Sequence, residues 1–262
     1  MLTYEQIQTL ISDTVSRSIH DFFQGKEVKT THMLDHVFPR ERKIRSLIGG
    51  LETSMGTRVW EPLAKSFASH NGFFVHNEDN FNREVFVIPP NILAFIAQWE
   101  EKKLRNPTIP LSQFWVEVNL LISSSVDSKD LERAPMPKGQ GVDVILTRDN
   151  ISYFFDIKTT QLNAGGDPKF LRNLLCWYTH AALMGFRDIE CFLAFPFDPH
   201  NGKFWIKEGG KVSPLIPNEE AYVADGFWDV LTGVKGTTAI IESTFKELGS
   251  SGFGEQFQHH FD

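Results

Sequence analysis

The sequence predicts an α/β fold, a mixed β-sheet flanked by α-helices on both faces. Two observations carry that expectation. Helical patterns come first, short apolar strands with turn signals follow, and helical patterns return, which is the order of a sheet covered on both sides. The strands are also too rich in Val, Ile, Phe and Tyr to leave both faces in water. With 41% hydrophobic and 13% aromatic residues in 262, the chain has enough apolar mass for one large domain or two small ones. No linker is long enough to demand two, so the expectation is a single domain over 1–262, with an N-terminal helical segment over about 1–38.

Residues 3–23 read as the first helix, because Ile7, Leu10, Ile11, Val15 and Ile19 recur at helical spacing. Phe38-Pro39 ends a loop, and 40–53 reads as a second helix, interrupted or closed near Gly49-Gly50. A third helix runs over 56–69, with Asn71-Gly72 as its stop. Short strands are expected at 73–76 and 84–88 around the polar stretch 77–83. Pro89-Pro90-Asn91 then opens a helix over 92–104, with Ile92, Phe95, Ile96 and Trp99 on its apolar face. Residues 114–122 fit helix or strand, and 123–141 form a polar connector holding Pro135, Pro137, Gly139 and Gly141. Strands at 142–147 and 151–157 surround the turn pair Asp149-Asn150. A helix over 167–183 follows, in which Trp177 and Tyr178 read as core. Strands at 189–197 and 203–207 and a helix near 239–248 complete the chain.

Composition narrows the function classes. No run of about 18 apolar residues occurs, so no membrane span is expected. The N-terminal MLTYEQIQTLISD has acids and no basic start, unlike a secretory signal. Cys176 and Cys191 are the only cysteines, which suits a reduced, cytoplasmic protein. Net charge is −7, which by itself argues mildly against nucleic acid, but the distribution is uneven. Residues 40–65 hold six basic side chains against three acidic ones, net +3, so the remainder is −10. An acidic protein of this kind still has the means to present one basic cleft.

The hairpin carries the chemistry. A two-residue loop at Asp149-Asn150 suits a tight turn, because both residue types tolerate positive φ. Arg148 and Ile151 then face each other, and counting outward sets Asp143 opposite Asp156, with Lys158 on the same face as Asp156. Like charges facing across a sheet destabilise it, so a cation is expected to compensate, with Lys158 supplying part of that charge. Two carboxylates about 4–5 Å apart at Cβ form a hard oxygen site of the kind that suits Mg2+. Lys158 beside a cation has three available roles: general base, orienter of a water, or counter-charge to the phosphorane. Those parts together suit phosphodiester cleavage. No G-x-x-x-x-G-K-[ST] loop points to a nucleoside-triphosphate enzyme, and no Cys/His cluster has zinc spacing.

Gly141-Val142-Asp143, twelve further residues and Asp156-Ile157-Lys158 resemble the PD-(D/E)xK nuclease signature, with valine in place of its proline. The stretch 44–73, IRSLIGGLETSMGTRVWEPLAKSFASHNGF, resembles the early helix of restriction endonucleases, in which a glycine precedes a glutamate that faces the metal. That stretch and DIKTTQLNAGG (156–166) look like TdeIII-type type II restriction endonucleases. The resemblance implies a restriction-endonuclease-like core and magnesium-dependent cleavage of double-stranded DNA by a homodimer. It also implies a companion DNA methyltransferase acting on the same site, and a target of the GGNCC type.

On that resemblance Asp143 and Asp156 are the metal ligands and Lys158 the catalytic amine. Glu61 matches the helical glutamate, with Gly56 before it and Trp60 and Leu63 around it. Pro62 follows directly and disfavours helical geometry at Glu61, and Glu52 is the rival. Gln161 is placed to reach the scissile phosphate or the attacking water, and is equally suited to be a loop amide. Asn163 and Gly165-Gly166 suit close approach to DNA, or a simple turn. Arg40, Arg42 and Arg45 lie on or near one helix as readers of guanine or holders of phosphate, although charged helix faces are usually just solvated. Lys138 is a phosphate candidate before Asp143, and Lys169 and Arg172 are further ones. Two other readings compete. A structure-selective repair or junction nuclease would leave intact duplex without a fixed pattern. A catalytically silent DNA-binding module would have no need to keep two facing acids.

Overall fold

A two-residue turn sets the centre of the sheet. Asp149 and Asn150 both adopt left-handed backbone, φ 53° and 66°, as a type I′ turn requires. The turn joins β4 (Val144–Arg148) to β5 (Ile151–Ile157) in antiparallel register from Arg148↔Ile151 to Val144↔Phe155. The computed structural model describes residues 2–28, 32–126, 131–158 and 168–261. Within it the chain divides into two units, 72–227 and 1–71 with 228–262.

The unit 72–227 holds a five-stranded sheet of order β1-β4-β5-β6-β7. β1 (Phe74–Val75) pairs antiparallel with β4, and His76 N–H continues that edge to the Ile145 carbonyl at 3.0 Å. β5 pairs parallel with β6 (Asp188–Phe195), and β6 parallel with β7 (Ala221–Val223), so the sheet is mixed. The chain returns from β5 to β6 through α7 (Pro168–Leu183), since parallel neighbours need a crossover. α5 (Pro90–Arg105) and α6 (Leu111–Ser125) pack with α7 on one face. There Ile145, Phe154, Cys191 and Leu193 join Ile96, Phe114, Leu174 and Trp177 in one buried core. On the opposite face Phe155 stacks on Phe192 at 4.9 Å and meets Phe227 edge-on at 5.4 Å. Phe227 belongs to α9 (Asp225–Thr232), so helices flank the sheet as the sequence predicts.

Residues 77–83, taken as a polar stretch, form α4 (Glu78–Arg83), with the Asn77 side chain accepting Asp79 N–H at its start. Residues 114–122 resolve to helix, inside α6. β2 (Val85–Phe86) was legible as a strand, and its partner β3 (Arg133–Ala134) lies hidden in the connector. The strand expected at 203–207 is instead α8 (Phe204–Val212). Phe204, Glu208 and Val212 are buried four residues apart, and that helical spacing outweighs the β propensity of Phe204-Trp205-Ile206.

One buried ion pair anchors this unit. Lys103 Nζ, at 0% exposure, lies 2.7 Å from Glu220 Oε2 and donates to the carbonyls of Pro107 and Ile109 at 3.1 and 2.7 Å. Glu220 also accepts the N–H groups of Leu111 and Ile216. The node joins the end of α5, the start of α6 and the approach to β7.

In the unit 1–71 with 228–262, the regular elements among the described residues are helical. α1 (Tyr4–Phe23) starts with a capping box between Thr3 and Gln6 and buries Ile7, Ile11 and Val15. α2 (Pro39–Met55) runs through Gly49-Gly50 without a break. Gly50 is explained by packing, since a Cβ there would sit 3.3 Å from Phe22 Cζ. A π-turn, Gly56–Trp60, leads into α3 (Glu61–His70), and α10 is Thr237–Ser250. Pro62 does not expel Glu61 from helical geometry, because Glu61 has φ −63° and ψ −48°. The π-turn absorbs the proline: Glu61 N–H reaches back to the Gly56 carbonyl, and the Arg58 carbonyl, which Pro62 cannot serve, accepts the Ser18 hydroxyl.

Candidate active site

One step beyond the last laddered pair, Val144↔Phe155, the hairpin register sets Asp143 against Asp156. Alternation gives Asp156 and Lys158 the face of Phe154, at the carboxyl end of β5, where the apolar core stops. The Lys158 N–H donates to the Ala194 carbonyl at 2.9 Å, so pairing with β6 runs past Ile157 and fixes the lysine backbone.

Asp156 is only 5% exposed. Its Oδ2 is paired with the Lys158 ammonium, and its buried Oδ1 has no hydrogen-bond partner among the described residues. A buried carboxylate oxygen without a donor costs free energy unless a ligand satisfies it. Asp143 Oδ2 accepts the Ile157 N–H at 3.0 Å. The structure therefore brings together the two carboxylates and the amine that the sequence nominates, with the orphaned oxygen among them. That donor set fits a hard, oxygen-seeking cation. No cluster of three or more His, Cys, Asp or Glu gathers for a metal among the described residues, so among them this pair is the candidate.

The connector before Asp143 is held by side chains. The Asn173 amide donates to the Gly139 carbonyl at 3.1 Å, and the Trp177 indole donates to the Gln140 carbonyl. Trp177 is thus core, as read, and also a tether. Asn82, which sequence reasoning passed over, brackets Val142. Its Nδ2 donates to the Val142 carbonyl at 3.0 Å and its Oδ1 accepts the Val142 N–H at 3.0 Å. Lys138 is exposed on the turn beside Gly139, whose φ is 79°. A Cβ on Gly139 would lie 2.9 Å from Lys169 Nζ, so the two lysines named from sequence share this turn. Arg172 is engaged with Glu100 at 3.1 Å.

Glu61, Arg40, Arg42 and Arg45 lie in the helical unit, 1–71 with 228–262. The three arginines share α2, as expected. Arg40 and Arg45 are exposed, while Arg42 Nε is held by Asp35 at 2.9 Å. Glu52 is exposed on α2, and Glu61 is half-buried at the start of α3. Gln161, Asn163 and Gly165-Gly166 lie outside the described residues.

No curated protein and no solved structure matches the chain. A family model described as "Type II restriction endonuclease, HinfI" matches residues 3–249, nearly the whole sequence. A DNA-cleaving family covering both the hairpin and the helical unit agrees with facing carboxylates beside a lysine. The chain belongs to the HinfI family of type II restriction endonucleases.

Proposed function

We propose that this type II restriction endonuclease hydrolyses both strands of duplex DNA with Mg2+ held by Asp143 and Asp156, as a PD-(D/E)xK enzyme. The observation that carries the reading is the buried, unpartnered Oδ1 of Asp156 opposite Asp143, with Lys158 alongside. Magnesium, when bound, supplies Lewis-acid stabilisation of the charge that gathers on the attacked phosphate. Asp143 and Asp156 bind the ion and fix its place relative to the sheet. Lys158, on the same face as Asp156, would as the ammonium orient the attacking water or offset phosphate charge, or as the neutral amine take a proton from that water. Glu61 is the further acid of the reading and Glu52 its rival. Arg40, Arg45, Lys138 and Gln161 are contacts to DNA, and Arg42 serves first to hold Asp35.

A symmetric target calls for two copies of the site about a two-fold axis, so the proposed working form is a homodimer on a short palindrome. A companion methyltransferase protects that site in the host. The TdeIII-type resemblance nominates GGNCC. Digestion of one sequenced plasmid with and without Mg2+, followed by run-off sequencing of the ends, tests the whole reading. Discrete fragments with a common end sequence, lost in Asp156→Ala, are expected. A smear, or no cutting with any divalent metal, overturns it.

A further inference from the structure

We infer that Asn82 is a positioning residue for the Asp143 carboxylate, a role that rests on Asp143 being a metal ligand. The argument starts from the parity of the hairpin. In a hairpin closed by a two-residue type I′ turn, the flanking pair Arg148/Ile151 exchanges both main-chain hydrogen bonds, and such pairs recur at every second step. Leu146/Tyr153 and Val144/Phe155 follow, and Asp143/Asp156 falls in the close, non-hydrogen-bonded class. Val142/Ile157 should be the next hydrogen-bonded pair. It is not. The Ile157 N–H goes to Asp143 Oδ2 at 3.0 Å, and both polar groups of Val142 go to the Asn82 amide, each at 3.0 Å.

Asn82 thus stands in for a strand neighbour. It draws Val142 out of the ladder, and the N–H left over on β5 captures the carboxylate one residue on. A single amide thereby converts a ladder position into a carboxylate clamp. Asn82 is itself well held. Its carbonyl accepts the Met136 N–H at 2.7 Å, and neighbouring Phe81 packs edge-on against Phe154 of β5 at 4.9 Å. Gly141 lies so close that a Cβ would meet the Asn82 side-chain amide at 3.4 Å.

The test compares Asn82→Leu, which keeps the volume and loses the amide, with Asn82→Asp, which keeps the acceptor for Val142 N–H and turns an oxygen toward its carbonyl. Asp143→Asn is run alongside. Manganese(II) binding is read without DNA, from the electron paramagnetic resonance of the free ion. Cleavage of a plasmid with mapped sites is read against magnesium concentration, and melting confirms folding. Both Asn82 variants should bind manganese about 10–100-fold more weakly, as loss of an outer-shell partner does. They should need correspondingly more magnesium for half-maximal cutting, with KM for DNA within about twofold of wild type. Should Asn82→Leu fail to fold, Asn82→Asp carries the test. Folded variants with wild-type manganese affinity and magnesium requirement overturn the role of Asn82 if Asp143→Asn has lost both. Wild-type manganese binding in Asp143→Asn instead overturns the assignment of Asp143, and the inference with it.

Discussion

Replacing Asp156 by asparagine removes one of two facing charges at nearly constant volume. In the metal-free protein that change should stabilise the fold while it abolishes cutting. Carboxylates facing across a non-hydrogen-bonded pair stand about 5 Å apart, which at an effective dielectric near 20 is a repulsion of about 3 kcal/mol. Lys158, paired with Asp156 and about one-third exposed, can turn to the facing Asp143 once position 156 is neutral, so most of its attraction is kept and a net gain of about 1–2 kcal/mol remains. For a chain of this length each kcal/mol moves Tm by about 2–4 °C, so Asp156→Asn should melt roughly 2–8 °C above wild type in EDTA. Magnesium should reverse the order. An ion at one hundred times its Kd adds about 2.7 kcal/mol to wild type and nothing to a variant without the site. The assay is a pair of melting curves for each protein, with EDTA and with magnesium, beside a plasmid digest. A variant less stable than wild type in EDTA, or equal stabilisation of both by magnesium, would refute the facing-carboxylate account.

Two further outcomes concern stability in the unit 72–227. Lys103→Met strands the Glu220 carboxylate in the core and should cost about 3–5 kcal/mol by urea denaturation; Lys103→Met/Glu220→Gln, which removes the charge but keeps an acceptor for only one of the Leu111 and Ile216 N–H groups, should recover part of it. Burial lowers the His180 imidazole from 6.5 to about 4, although its hydrogen bond to the Phe86 carbonyl pulls the other way. A depressed pKa contributes stability that is complete above about 6.5 and lost as pH falls toward about 4, so between pH 7 and pH 5 wild type should give up about 2 kcal/mol that His180→Gln keeps, read as the difference between their urea midpoints at the two pH values.

The hairpin was legible because its determinants are local. Two turn residues that tolerate positive φ fix the loop, the loop fixes the register, and alternation then dictates which charges meet. Elements whose determinants are remote were misread. α8 looked like a strand because a buried glutamate interrupts its apolar stripe. Glu208 is tolerated there because His200 and Lys211 meet its carboxylate at 2.9 and 2.7 Å. Gly49-Gly50 looked like a helix end, yet Gly50 is there to let Phe22 approach. β3 is two residues long and exists only through its pairing with β2. Pro62 argued against helical geometry at Glu61 because the compensating donor, Ser18, lies forty positions before the Arg58 carbonyl it serves.

The same division runs through the candidate site. Asp143, Asp156 and Lys158 declare themselves by charge within an apolar hairpin, so their presence is a sequence fact. Their orientation is not. A facing pair in a regular ladder would spend the Ile157 N–H on the Val142 carbonyl and leave the Asp143 carboxylate to find its own angle. What prevents this is Asn82, sixty residues upstream in a stretch read as merely polar. An asparagine carries no periodic or charge signal, and only the fold reveals that it takes the place of a strand. The charges of the proposed cation site can therefore be read from sixteen consecutive residues, but on the inference above the direction in which one of them points depends on a main-chain hydrogen bond displaced by a distant amide. If that displacement is what orients the carboxylate, weakening it should appear first as a demand for more metal and only later as a loss of DNA binding.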